Sequence, residues 1–295
     1  MSDRIQSLME TVPDASPLVG VIEYKQAWQE TLGASGLTEP FETALMGGLL
    51  ADRLSWVFAG AYQAAQHGCF PELPRAGDWY SFAISEDRTR LFPGTTITDG
   101  FLTGYKTWVA GGPMVDQIIV TIGPAIASGC YLVPVDHERV TIVEKTSGDF
   151  LAELPQDRVT FTGVPMKEVT ELDHALAVHF GLAEPYFVMV AGSGFLLRQS
   201  ERIRNANVDV AAMDEISSGV RAVLEELEEL GAAGFWSDVP RLIECQQTVT
   251  RHGRQLAALV NSGAAGDVEG IWSEDWARNG KLLGMYGRAL RARIE

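Results

Sequence analysis

The chain has 295 residues, 46% of them hydrophobic, with 39 acidic against 23 basic side chains and a formal net charge of −16. This length and apolar content support a globular protein of two or three subdomains and exclude a disordered chain. The charge excludes a nucleic-acid surface, which needs clustered Lys and Arg to neutralise phosphate.

Cys69, Cys130 and Cys245 are scattered, lack metal-ligand spacing and are too few for a disulfide framework, which fits a reducing cytoplasm. Residues 1–17 carry no basic flank followed by an apolar run, so no signal peptide is expected. The most apolar run, Gly181 to Leu197, contains Glu184 and Pro185 and reads as a buried helix rather than a membrane span.

In chain order, a short helix and a lead-in occupy residues 1–16. Ile22, Trp28 and Leu32 then recur at helical spacing, and Gly33 and Gly36 close that helix. Thr38 reads as the cap of the next helix, with Pro40 in its first turn. Phe41 to His67 is long and apolar enough for one or two buried helices. The stretch Phe70-Pro71-Glu72-Leu73-Pro74 leads out of them.

From Asp78 to Pro165 the pattern is strand after strand. Asp99-Gly100 lies between the β-rich runs Thr95 to Thr98 and Phe101 to Val109, and both residues tolerate the positive φ of a type I′ hairpin. The second run ends at Gly111-Gly112-Pro113, which puts Trp108 at the mouth of a sheet. Gln117 to Ile122, Gly129 to Val135, Val140 to Glu144 and Arg158 to Phe161 are further strands. Short strands without intervening helices predict a compact antiparallel barrel or sandwich.

The period then becomes helical. Glu171 to Ile203 is a long apolar helix with Pro185 as a kink, and Gly192-Ser193-Gly194 inside it permits close helix packing. Met213 to Gly231 is amphipathic, with Glu225, Glu226, Glu228 and Glu229 toward water. Val239 to Val260 and Trp276 to Ile294 are two more helices, separated by the glycine-rich stretch Gly263 to Gly270. Four such helices suggest an antiparallel bundle.

Several pieces of the β-rich region share an order with one known family. Ala83-Ile84-Ser85-Glu86-Asp87, then Thr98-Asp99-Gly100, then Gly104-Tyr105-Lys106-Thr107-Trp108-Val109-Ala110-Gly111-Gly112 and Asp116 resemble the middle β-domain of the acyl-CoA dehydrogenase family. That family reads A-[ML]-[TS]-E-P, D-G, L-N-G-x-K-x-W-I-[TS]-N-G and A-D. The resemblance covers roughly Leu37 to Arg204, and the remainder by architecture only.

It implies an α+β fold with a shortened N-terminal helical segment (1–77), a central antiparallel β-barrel-like domain (78–168) and a C-terminal four-helix bundle (169–295). The implied activity is FAD-dependent α,β-desaturation of an acyl thioester on CoA or an acyl-carrier protein. An electron acceptor and a homo- or hetero-oligomer follow from the same resemblance. Trp108 matches the tryptophan that packs on the flavin ring, Ser85 the hydroxyl at its pyrimidine end, and Val109 and Ala110 the residues after the tryptophan. Glu86 is expected to be an ion-pair partner rather than a catalyst.

The pattern also departs from the family. The usual base lies in a late E-G-T loop, for which Glu269 in Glu269-Gly270-Ile271 is the nearest match; a minority of members place it near the start of the first C-terminal helix, which corresponds here to Glu171. The R-x-x-F-G motif for the cofactor diphosphate is represented only by Arg198, Arg202 and Arg204, without Phe-Gly. These gaps keep open an alternative: a degenerate, non-catalytic or flavin-free subunit that partners a complete homologue.

Overall fold

The computed structural model describes the whole chain except residues 1, 13–17, 19, 75, 76, 88, 90, 146, 147, 266, 267, 269–272 and 295. Gln66–Phe180 forms one unit, rich in strands; Met1–Ala65 together with Gly181–Glu295 forms another, built of helices.

In the strand unit two four-stranded sheets face each other. One has the order β1 (Tyr80–Ala83), β4 (Gln117–Thr121), β5 (Cys130–Pro134), β8 (Thr170–Leu172); the other runs β2 (Thr96–Thr98), β3 (Phe101–Ala110), β7 (Gln156–Pro165), β6 (Val140–Val143). Ala83, Ile118, Val120 and Val133 from the first sheet pack with Leu102, Val109, Val159, Phe161 and Val164 from the second. Buried and less buried positions alternate along β7, as expected for a strand with one face on a core.

The hairpin forms as expected: Thr98 pairs with Phe101, and Asp99 and Gly100 take φ values of 52° and 80°. Of the two forms expected, barrel or sandwich, the strands take the sandwich, and β1 pairs with β4 in parallel rather than antiparallel fashion. A parallel pair needs a long connection between its strands, and here the β2–β3 hairpin lies within that connection.

In the helical unit, α1 (Ser2–Thr11) and α2 (Val21–Ser35) precede α3 (Pro40–Leu50) and α4 (Leu54–Cys69), whose last turn extends into the strand unit. Gly36 closes α2 in the left-handed conformation at φ 66°. Glu39 rather than Thr38 occupies the cap position of α3. Asp52, between α3 and α4, accepts the Leu18 amide at 2.9 Å, which ties the segment before α2 to that break.

The long helices α5 (Phe180–Asn205), α6 (Val210–Ala233) and α7 (Val239–Asn261) follow. Met213, Ile216, Val220, Val223, Leu224, Leu227 and Leu230 form the buried stripe of α6. Helix α5 is long and apolar enough to cross a membrane, yet 89% of its most apolar window is buried within the fold, as in the core helix of a globular protein. The small residues in its middle allow a close crossing: a Cβ on Gly194 would stand 2.6 Å from the Leu45 carbonyl oxygen, and one on Gly48 of α3 would collide with the Ala191 carbonyl.

Two expectations are corrected here. The helix expected from Glu171 starts only at Phe180, because residues 170–172 are drawn into the sheet as β8, where Glu171 pairs with Tyr131. The fourth helix expected over Trp276 to Ile294 is broken into α8 (Ser273–Asn279), a 3₁₀ stretch at Gly280–Gly284 and α9 (Gly287–Arg291). At the break the Leu283 carbonyl accepts from the Thr250 hydroxyl of α7 at 2.8 Å, a contact made across 33 positions of sequence. The bundle is thus three long helices and one segmented one.

Candidate active site

The rim of the sandwich is assembled by a buried cation. Lys106 on β3 is fully buried, and its Nζ donates to the Ile84 carbonyl (3.1 Å), Glu86 Oε1 (3.0 Å) and the Thr121 hydroxyl (3.0 Å), with the Gly123 carbonyl at 2.7 Å. Burial holds the Lys106 pKa below the usual lysine range, while the hydrogen bond to Glu86 and its charge oppose that shift. Glu86 also accepts from the Thr95 amide at 3.1 Å, and the Thr95 hydroxyl reaches the Thr121 carbonyl at 2.7 Å. Glu86 is therefore the ion-pair partner foreseen from the sequence, and the pair fixes the loop after β1 against β3 and β4.

That anchoring brings Ser85 beside the end of β3. The Ser85 carbonyl accepts from both the Thr107 amide (2.8 Å) and the Thr107 hydroxyl (3.1 Å), one residue before Trp108. The Ser85 side chain is exposed and borders a cavity of about 730 Å³ whose wall includes Ile84, Glu86, Pro93 and Pro124. Trp108 is half-buried, and its indole N–H donates to Gln156 Oε1 on β7 at 3.3 Å. The β3–β7 register shifts between Lys106 and Val109, so the ladder is irregular where the indole emerges. Val109 and Ala110 follow with 0% and 2% of their surface exposed, so both side chains are committed to the interior.

Glu171 is exposed on β8 in the strand unit, and Glu269 lies outside the described residues. Arg198 is buried on α5 in the helical unit, where its guanidinium donates to Glu201 Oε2 (3.3 Å) and to the Val12 carbonyl (3.4 Å).

Sequence reading missed one carboxyl. Glu184, in the second turn of α5, accepts a short hydrogen bond of 2.5 Å from the Tyr286 hydroxyl. Burial pushes its pKa above the usual carboxylate range, with the Tyr286 hydrogen bond opposing. A carboxylate that is desolvated yet keeps one oxygen free of that bond is a stronger proton acceptor than a solvated one. The signal in the sequence is a single acid within an apolar helix, and on its own it argues only against a membrane span. The three thiols offer no comparable nucleophile, since burial pushes Cys130 up to about 12 and Cys245 up to about 11.

No protein-family profile and no curated protein sequence matches the chain. Solved structures do. An FAD-dependent dehydrogenase superposes with a TM-score of 0.66 at 10% identity, over 100% of this chain and 98% of that one. The apo form of PigA gives 0.68 at 14% identity, covering 99% and 96%. Glutaryl-CoA dehydrogenase from Mycobacterium smegmatis gives 0.61 at 12% identity, covering 100% and 95%.

The fold is acyl-CoA dehydrogenase-like. Within an acyl-CoA dehydrogenase-like fold, the exposed Ser85 hydroxyl and the half-exposed Trp108 indole flank one strand end. Their polar and aromatic surfaces are of the kind that could hold the ring portion of a flavin. Arg198, already engaged by Glu201 and Val12, does not present its guanidinium to a cofactor diphosphate in this conformation.

Proposed function

We propose that the chain is an FAD-dependent dehydrogenase of an acyl thioester, forming the α,β-enoyl thioester. The reading is supported by the pairing of Ser85 with Thr107, one residue before Trp108, at a rim tied together by the Lys106–Glu86 pair. When bound, FAD would supply the acceptor for the hydride that leaves the β-carbon. The chain's own residues do the rest. Trp108 and Ser85 bind and orient the ring, and the Lys106 network keeps their strand ends in register. CoA or a carrier protein bears the acyl group, and an electron-transfer protein reoxidises the cofactor.

A second reading, a non-catalytic partner of a complete homologue, is favoured by the commitment of Arg198 to Glu201 and Val12. Reconstitution with FAD separates the two. The dehydrogenase reading expects a retained flavin absorption band that is bleached by acyl-CoA under anaerobic conditions, and expects Trp108→Ala to weaken FAD retention about tenfold or more, as loss of an aromatic stacking partner does. Protein that stays colourless after incubation with FAD would leave only the partner reading standing.

A further inference from the structure

The strand unit holds a cavity of about 380 Å³, within the size range of small-molecule sites. Its wall takes Pro113 from the 3₁₀ turn Gly112–Met114, Ile142 from β6, and Ala152 and Pro155 from the segment before β7. Hydrogen bonds fix these pieces to one another. The Gly111 amide donates to the Pro155 carbonyl at 2.8 Å, and the Lys145 amide to Asp157 Oδ1 at 3.1 Å. Gln156 donates from Nε2 to the Phe150 carbonyl at 3.0 Å and accepts the Trp108 indole N–H on Oε1 at 3.3 Å.

The chemistry of the cavity is set by Asp157 of β7, which lines it and is only 4% exposed. The other buried acids among the described residues use both carboxylate oxygens. Asp52 holds the Leu18 amide and the Arg53 guanidinium, and Asp275 holds the Leu54 amide and the Asn279 side chain. Asp157 uses only Oδ1; among the described residues Oδ2 accepts no hydrogen bond and the carboxylate pairs with no cation. The backbone makes room for that free oxygen. Gly112 takes a φ of 50°, and a Cβ there would collide with Asp157 Oδ2. A desolvated carboxylate with an unused oxygen is stabilised by a group that brings both a positive charge and a donor.

We propose that this cavity binds a small aliphatic amine as its ammonium ion. The ammonium donates to Asp157 Oδ2, Glu144 adds a second negative charge to the wall, and the carbon skeleton lies against Pro113, Ile142, Ala152 and Pro155. Lys145 on the same wall opposes binding. A divalent metal ion fits less well, because it needs about six oxygens, whereas Gln156 Oε1 is already engaged by Trp108 and much of the wall is apolar.

Isothermal titration calorimetry on the full chain at neutral pH tests this with cyclopentylamine, its neutral counterpart cyclopentanol, and calcium chloride. No flavin is added, so the outcome is independent of the dehydrogenase reading. The expected result is saturable binding of cyclopentylamine at millimolar concentration and none of cyclopentanol. Binding is expected to weaken at least about tenfold in Asp157→Asn, whose side-chain carbonyl still accepts from the Lys145 amide. Lys145→Ala, at an exposed position, is expected to bind the amine about two- to threefold more tightly. That second variant decides the matter should the first fail to fold, since unchanged or weaker binding to it overturns the proposal. The proposal is also overturned if cyclopentylamine does not saturate, if cyclopentanol binds equally well, if folded Asp157→Asn binds the amine as the parent does, or if calcium binds more tightly than the amine.

Discussion

Lys106 and Glu184 are both charged groups held away from water, and they differ in what surrounds them. Four oxygens surround the Lys106 ammonium, so its removal strands the partners: Glu86, the Ile84 and Gly123 carbonyls and the Thr121 hydroxyl. Breaking such a buried pair from one side costs more than the pair contributes. Lys106→Met is expected to lower stability by roughly 3 kcal/mol, read as a shift of the urea midpoint at constant slope.

Glu184 behaves in the opposite sense. Its folded pKa lies above its unfolded value, so the folded state binds the extra proton and stability falls as pH rises from the ordinary carboxylate range through the raised pKa. Glu184→Gln is expected to remove that fall, so the variant gains on the parent between acid and neutral pH. A variant that keeps the parent's fall in stability over that pH range would show that Glu184 is not the group that takes up the proton. Trp108 and Ser85 were legible because their neighbours in sequence carry a motif. Glu184 was not, because its meaning depends on Tyr286, which is 102 positions away.

Among the elements, those with local causes were legible. The Asp99-Gly100 hairpin needs only two residues that accept positive φ, and α6 needs only a 3.6-residue stripe. What escaped was decided at a distance. The three residues of β8 become a strand through pairing with β5, some forty positions earlier, which a local period cannot reveal. The last helix is broken because α7 draws the Leu283 carbonyl toward Thr250.

The α3–α5 crossing is the element-level feature most sensitive to a single atom. Gly48→Ala places a methyl group on the Ala191 backbone, and the expected cost is about 3 kcal/mol. This appears as a melting temperature lower by roughly 5 to 10 °C. Gly33→Ala serves as its control: the site lies in α2 with nothing within 4 Å of the added carbon, and the change is expected to stabilise by about 0.5 to 1 kcal/mol. Equal melting temperatures for the two variants would refute a tight crossing.

At the scale of the molecule, the sequence divided the chain into three consecutive stretches, whereas the contacts gather the first and last of these into one unit around a continuous middle one. Local patterns identify helices and strands but carry no record of which distant helices share a core, so this joining was not legible. The cavity lined by Asp157 was hidden for the same reason, since Pro113 and Asp157 meet only after folding.

The discontinuity governs the order in which the protein can be made. A ribosome releases the strand-rich segment while α5, α6 and α7 are still unsynthesised, so the sandwich has all its strands by residue 172, long before the helical core does. Through that interval Leu45 and Leu49 lack the α5 surface that later covers them. The nascent chain thus carries an open apolar face for more than a hundred rounds of peptide-bond formation, and that face is the natural landing place for a chaperone.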